Sequence, residues 1–160
     1  MLRTGFWLRK LYPEADDAFY AAAICHDIER LFPLRDGEIK PAKTGRDEQD
    51  AEYLAWHGKR SAEFAEKILK DFGFENEEDL QRIKTLIAEH NLSGSEERNL
   101  MRDADSISLL ENNIPAFMKA GKNRVELKEK VETEFKRLSS EKARELARPF
   151  YDVTIEELKK

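Results

Sequence analysis

All three histidines and two aspartates of this sequence fall where the helical repeat of apolar residues turns side chains inward. His26 lies in an alanine-rich segment, AAAICHDIERLF, with Asp27 directly after it; His57, His90 and Asp105 each take a place in the apolar stripe of a later predicted helix. Imidazole nitrogen and carboxylate oxygen are the donors that Mn, Fe, Co, Ni and Zn ions accept, so the five together predict a metal site. Taken singly, each has a plainer alternative, a buried histidine with a satisfied partner or an aspartate that caps or pairs.

Helices must position these side chains, because no segment alternates apolar and polar residues as a strand does. Apolar steps of three and four, with cap and stop residues, predict helices over 2–12, 13–31, 50–72, 76–90, 125–138 and 141–151, another beginning at Ser95, and a short one in the tail VTIEELKK after Pro149. The sequence thus predicts an all-α helical bundle of about six or seven helices in a single domain, 1–160. Its motif-bearing core spans about 3–111, and its C-terminal helices span 123–160.

The stretch 33–49, PLRDGEIKPAKTGRDEQ, contains two prolines, two glycines and many charges. This composition predicts a long surface loop directly after the His26-Asp27 segment. Long ordered loops in compact domains are often lids or binding loops, so the stretch is a candidate cover for a substrate.

Composition narrows the class of partner. The 160 residues include 33 Asp and Glu against 28 Lys and Arg, a net charge of −5, which argues against a nucleic acid polymer or a membrane as partner. The single cysteine, Cys25, is predicted to be a small core residue and indicates a reducing compartment. The N-terminus has no apolar run long enough for a signal peptide or a membrane span, so we expect a cytoplasmic protein. A homo-oligomer stays open.

The order His26-Asp27, His57, His90, Asp105 resembles the HD-domain superfamily of metal-dependent phosphohydrolases. The local sequence AAAICHDIE resembles the family's His-Asp segment. HGKRSAEFAEKIL and LIAEHN resemble the helices that carry its later histidines, and DADSISLLE resembles its Asp-Ala-Asp segment. The resemblance covers about residues 3–111. It implies an all-α fold and hydrolysis of a phosphoester of a small molecule, for which it favours a nucleotide.

By this resemblance, His26, Asp27 and Asp105 would bind a first metal ion, and His57 and His90 would bind a second ion or the substrate phosphate. The cofactor would be one or two divalent transition-metal ions, Mn, Fe, Co, Ni or Zn, with Mg as an alternative. Asp27 would orient or deprotonate a metal-bound water, whose pKa the metal lowers toward neutrality.

Two arginines are candidates for binding the phosphate of the substrate. Arg30 lies one helical turn beyond His26, and Arg60 lies three residues past His57. A planar guanidinium suits a phosphate, so either would clamp the small phosphorylated molecule. The alternative for both is an ordinary surface arginine.

The sequence departs from the family pattern at two places. Arg3 matches the arginine of the family's first His-x-x-Arg pattern, which puts the matching histidine one position before Met1. Glu29 stands where many members have glycine, and it either adds a carboxylate near the site or faces solvent. The absence of that histidine from this sequence supports a second hypothesis, a catalytically silent ligand-binding or regulatory protein of the same fold. A third is a di-iron oxygenase, since the donor set suits two irons.

Overall fold

Eight α-helices make up most of the computed structural model, which describes residues 2–42 and 50–160. They are α1 (Leu2–Leu11), α2 (Asp17–Cys25), α3 (Ala51–Asp71), α4 (Glu77–Glu89), α5 (Glu96–Ser108), α6 (Ile114–Lys119), α7 (Arg124–Lys136) and α8 (Glu141–Lys159). A π-helical turn, Leu109–Asn113, joins α5 to α6 without a break, so the eight segments form seven continuous helices. The described ranges contain no strand, and the predicted all-α bundle is confirmed.

Side-chain caps fix where several helices begin. Asn76 caps α4 by accepting two backbone hydrogen bonds of 3.1 Å, and Ser95 caps α5 by accepting one of 3.3 Å, as the sequence predicted. The start of α2 was predicted too early. It begins after Pro13, because Asp16 caps it by accepting a bond of 2.8 Å from the N–H three residues on.

The predicted helix through His26 is wrong in its extent. α2 ends at Cys25, and a 3₁₀ turn covers Ile28–Leu31. Between them Asp27 leaves the helical region, with φ −107° and ψ 12°. Neighbouring residues within a helix point about 100° apart, so this break is what brings the side chains of His26 and Asp27 to one place, with His26 Nε2 and Asp27 Oδ2 3.7 Å apart.

The predicted short tail helix is also wrong, because α8 runs through Pro149 to Lys159. An interior proline costs a helix about 3 kcal/mol or more. Packing offsets that cost here: Ala143 and Ala147 of α8 are fully buried in the core.

Two helix pairs, α3 with α4 and α1 with α5, make the most extensive contacts in the bundle. Gly58 lets α3 approach α4 closely, since a Cβ at this position would lie 2.4 Å from the carbonyl oxygen of Ala88. The approach sets His57 next to His90, with ring centroids 5.5 Å apart. The core around these pairs consists of fully buried apolar residues, among them Leu8, Phe19, Ile83, Ile87, Met101 and Ile107.

The C-terminal helices are anchored to α5 by a buried aspartate. Asp103 is fully buried and accepts hydrogen bonds from the backbone and hydroxyl of Ser139, at 2.8 and 2.7 Å, and from both donors of Ser140, at 3.3 Å. Four donors on one carboxylate fix the turn between α7 and α8 against α5.

Among the residues that the structure describes, no helix combines the length and the apolar character needed to cross a membrane.

Candidate metal site

The fold gathers the five predicted ligands at one cleft. Asp27, His57, His90 and Asp105 line it, and His26 contacts Asp105 from the core, with only 1% of its surface exposed. The three imidazoles stand edge to face, with ring centroids 5.0 Å apart for His26 and His90 and 5.5 Å for His57 and His90. Four separate segments therefore converge here: the end of α2, the middle of α3, the end of α4, and α5.

The donor atoms form two overlapping groups. His26, His90 and Asp105 make one, and Asp27, His57 and His90 make the other; within each group the ligand atoms lie within 4.8 Å of one another. Two pairs are in contact: His26 Nε2 lies 3.0 Å from Asp105 Oδ1, and His57 Nε2 lies 3.0 Å from Asp27 Oδ1. His90 is common to both groups, so the geometry accommodates one ion or two.

Each histidine has its Nδ1 atom committed to an acceptor on the far side of the ring. The acceptors are a backbone carbonyl for His26 (Ala23, 2.8 Å), a backbone carbonyl for His90 (Ile87, 2.7 Å) and a carboxylate for His57 (Glu29, 3.0 Å). Because these oxygens can only accept, each Nδ1 carries a proton, and the neutral form of each ring presents the lone pair of Nε2 to the cleft. This is the arrangement that orients histidines bound to metals.

The residues present fit a metal ion, because the lone pairs face carboxylates. A neutral imidazole has one proton, which Nδ1 already holds, so each Nε2–carboxylate contact of 3.0 Å needs either a second proton or a cation. His57 Nε2 is buried and lacks the alignment of a hydrogen bond to any described residue. Such an orphaned buried atom indicates a missing partner, and a divalent cation would satisfy both contacts.

Without a cation, the charges around the two aspartates lower the pKa values of both carboxyl groups. Burial raises the pKa of Asp27 and Asp105, but the imidazoles and arginines around them outweigh it. The pKa of Asp27 falls to about 2 through His57, His26 and Arg30, and that of Asp105 falls through His26. Both are ionised at neutral pH.

The pKa values of two of the histidines shift in opposite directions. Burial opposes protonation of His26, yet Asp105 outweighs it and raises the pKa of that imidazole. Burial, reinforced by the charge of His26, lowers the pKa of His90 to about 4. His90 is therefore neutral at pH 7, as a metal ligand must be. The amide Nδ2 of Asn91 donates to His90 Nε2 at 2.9 Å, so this side chain would turn aside when His90 binds an ion.

The sequence matches one family model, described as "Domain of unknown function (DUF4202)", over residues 2–158. The chain belongs to the DUF4202 family. No curated protein and no solved structure matches it. The family match includes all five predicted ligands and all the helices except the last residue of α8.

The two predicted arginines of this DUF4202 chain occupy different places. Arg30 is 47% exposed, lines the cleft, and forms an ion pair with Asp27, in which Nη1 and Oδ2 lie 2.7 Å apart. Arg60 is 2% exposed and is turned away from the cleft lining: it pairs with Glu38, lies 3.4 Å from Glu29, and donates to the carbonyl of Pro33. The structure does not bring Arg60 to the site, because its partners lie on the chain that follows the 3₁₀ turn.

That chain is the beginning of the predicted loop 33–49, whose residues 43–49 lie outside the described ranges. Residues 33–42 lie along the surface of α3. Arg35 donates to Glu63 at 2.7 Å, and Lys40 lies over the rings of Tyr53 and Trp56, 5.7 and 5.6 Å from their centroids. Tyr53 in turn stacks on His57 and lines the cleft. The loop as a substrate cover stays a prediction.

Sequence reasoning missed the partner that orients His57. Glu29 is 3% exposed; it accepts from His57 and balances Arg60. Of the two alternatives for Glu29, a carboxylate near the site or a side chain that faces solvent, the structure shows the first. Its carboxylate supports the ligand His57. Nothing in the local pattern marks it, since the 3₁₀ turn that directs it inward begins at the preceding residue.

Sequence reasoning also missed a charged group at the cleft, formed by Lys130 and Glu134 of α7 and by Arg137 directly after it. A signal for it exists. Glu134 occupies the apolar stripe formed by Leu127 and Val131, and it is 3% exposed. A carboxylate in such a stripe is the same pattern that pointed to Asp105.

Proposed function

We propose that this protein is a metal-dependent phosphohydrolase that hydrolyses a phosphoester of a small molecule, with a nucleotide as the first candidate substrate. One observation carries the proposal: His26 and His57, each with its Nδ1 proton committed elsewhere, face Asp105 and Asp27 across 3.0 Å. Each contact needs either a second proton on the imidazole or a cation between the two groups, and a divalent ion would make ligands of all four residues.

The charge of the cleft supports an anionic substrate. Of the described residues that line it, four are carboxylates (Asp27, Asp50, Asp105, Glu134) and three are cations (Arg30, Lys130, Arg137). Histidines that bind a metal ion are neutral, so one divalent ion turns the balance from negative to positive, and a second ion makes it more positive. A small phosphorylated molecule is attracted to such a site, while the net charge of −5 for the whole chain disfavours a polyanion.

The chemistry follows from the residues around the ligands. A bound metal ion supplies a water of lowered pKa and neutralises phosphoryl oxygens. Asp27 is ionised at neutral pH and faces the cleft, so one of its oxygens would orient such a water and accept its proton. Arg30, whose Nη1 lies 2.7 Å from Asp27 Oδ2, would bind a phosphoryl oxygen of the substrate through its guanidinium. The order of the ligands resembles that of the HD-domain superfamily, which supports the same reaction class.

Metal content tests the proposal before any substrate is known. We would measure metals by elemental analysis in the purified protein and after reconstitution with Mn²⁺, Fe²⁺, Co²⁺, Ni²⁺ or Zn²⁺. We expect one or two ions per chain, with a rise in melting temperature on addition of metal. In the Asp105→Asn variant we expect both to be lost, and in Asp152→Asn, the same change at an exposed position of α8, both to be kept.

Hydrolysis is then screened with nucleotides, phosphosugars and aryl phosphates. Turnover that needs the metal and disappears in Asp27→Asn agrees with the proposal. No retained metal after reconstitution, or full activity in Asp105→Asn, would contradict it. Metal binding without turnover, combined with a ligand that raises the melting temperature, would instead favour a regulatory protein.

A further inference from the structure

A buried glutamate on α7 organises a second group of charges beside the proposed metal site. Glu134 is 3% exposed and accepts hydrogen bonds from the hydroxyl of Ser106 (3.0 Å) and from Nζ of Lys130 (3.2 Å). It also forms an ion pair with Nε of Arg137, at 2.8 Å. One carboxylate thus holds two cations, so the group carries a net positive charge.

The network aims its positive charge at the cleft. Arg137 and Lys130 both line it, with side chains 18% and 32% exposed. Arg137 Nη2 lies 3.9 Å from Asp105 Oδ2, which is close enough for attraction and too long for a hydrogen bond. Ser106 follows Asp105 on α5, so the same contacts tie α7 to the helix that carries a proposed ligand.

The position of α7 itself is fixed. Arg102 of α5 donates to the carbonyl oxygen of Arg137 over 3.2 Å, and Ser106 also contacts Arg137 Nε at 2.8 Å. A guanidinium held at its Nε by two partners has a defined plane, so little conformational entropy is lost when its outer nitrogens bind a ligand.

We propose that Lys130 and Arg137 form an anion-binding position for a phosphate group of the substrate, with Glu134 as the positioning residue beneath them. The inference rests on the proposed function, since it assigns the phosphate contacts of the same cleft. Arg30 pairs with Asp27, Arg137 lies 3.9 Å from Asp105, and Lys130 lines the same cleft. A phosphate in the cleft is therefore met by a cation beside each carboxylate, and Lys130 and Arg137 provide two of the three positive charges.

The alternative is that this network only joins α7 to α5. The two readings differ in what a change at Lys130 does. A purely structural role predicts lower stability with phosphate binding intact. An anion-binding role predicts weaker phosphate binding with stability and metal affinity almost unchanged, because the charge of Lys130 is partly exposed and its ion pair is screened by solvent.

The experiment is titration calorimetry with inorganic phosphate as the probe, on the full chain with and without bound metal. We expect Lys130→Gln to raise the dissociation constant for phosphate about tenfold or more, as expected for loss of one charge-assisted hydrogen bond. Lys130→Arg should restore most of the affinity. Lys128→Gln is the matched control, because it removes a lysine from the same helix that likewise faces a glutamate four residues on, Glu132.

Glu134→Gln tests the positioning role. It keeps Lys130 and Arg137 but removes the charge that orients them, so we expect weaker phosphate binding, even though one negative charge near the anion has been removed. Tighter phosphate binding in this variant would overturn the assigned role of Glu134.

The outcomes also separate this inference from the proposed function. Metal affinity is measured independently, and its absence in the wild-type protein would contradict the proposed function whatever phosphate does. If Lys130→Gln binds phosphate as tightly as the wild-type and Lys128→Gln proteins, the anion-binding position is wrong even where metal binding is intact. Lack of phosphate binding by the wild-type protein in both forms would overturn it too.

Discussion

Replacing Gly58 with alanine should separate α3 from α4 and disturb the site between them. The added Cβ would lie 2.4 Å from the carbonyl oxygen of Ala88 and 3.1 Å from its Cα. Ordinary contact begins at 3.4 Å, so the first distance is about 1 Å too short. The obstacle is the backbone of a neighbouring helix, which no side-chain rotation removes.

The size of the effect follows from two opposing contributions. Overpacking a well-packed interior costs about 1–3 kcal/mol, while alanine is more favourable than glycine inside a helix by about 1 kcal/mol. We therefore expect the free energy of unfolding to fall by up to about 2 kcal/mol. A shift of about 1 Å between α3 and α4 is large against the tolerance of about 0.2 Å in metal–ligand distances. Since His57 precedes Gly58 and His90 ends α4, metal affinity should fall at least about tenfold.

The assays are urea unfolding and metal titration, with Gly5→Ala as the control. Gly5 is also a helical glycine, in α1, but its added Cβ would meet the ends of flexible side chains, Tyr20 at 2.8 Å and Ile24 at 3.0 Å. Both variants gain the same helix propensity, so the difference between them isolates the backbone clash. We expect Gly58→Ala to be the less stable of the two by about 1–3 kcal/mol.

Two results would refute this reasoning. If Gly58→Ala is as stable as Gly5→Ala and binds metal with wild-type affinity, the close approach of α3 and α4 is not what positions the histidines. If stability falls as expected but metal affinity is unchanged, the approach is a packing feature alone, and His90 is not a ligand that depends on it.

The remaining predictions separate structural from functional residues. Asp103→Asn should lower stability by about 1–3 kcal/mol in thermal unfolding and leave metal binding intact, because its carboxylate accepts from four donors of the α7–α8 turn. Asp105→Asn should abolish metal binding and leave stability in the absence of metal almost unchanged. Identical behaviour of the two variants would count against the assignment. Arg60→Gln should destabilise the protein by about 3–5 kcal/mol, because it breaks buried ion pairs. Arg30→Gln, at a half-exposed position, should change stability by less than about 0.5 kcal/mol and raise KM for the substrate; a KM effect in Arg60→Gln alone would reverse this assignment. Burial raises the pKa of the Cys25 thiol, so iodoacetamide at pH 8 should label it only after unfolding, and rapid labelling of the folded protein would contradict its place in the core.

Much of the fold and the inward direction of three ligands could be predicted from the sequence. Helical periodicity is a local property, and the side of a helix that carries apolar residues is buried whatever packs against it. His57, His90 and Asp105 took places in such stripes, and all three line the cleft. The caps of α4 and α5 were predictable for the same reason, because a side chain that accepts from the first turn acts within four residues.

Other features depend on partners that are distant in the chain. The end of α2 at Cys25 brings the side chains of His26 and Asp27 together, and neither residue type predicts that the helix ends there. Arg60 was predicted to face the substrate from its spacing to His57, but its direction is decided by Glu38 on a loop that periodicity does not describe. The direction of a buried charged side chain depends on where an oppositely charged partner lies, and that position depends on how separate segments pack together.

The group on α7 shows the same division. The sequence by itself determined that Glu134 lies on the buried side of its helix, in register with the apolar residues around it. Only the tertiary structure decided that this side meets α5 next to Asp105, and so converted Lys130 and Arg137 from ordinary surface cations into residues of the cleft. The physical reason is that periodicity fixes the rotation of a helix about its own axis, whereas the chemistry at its surface is fixed by the helix that packs against it.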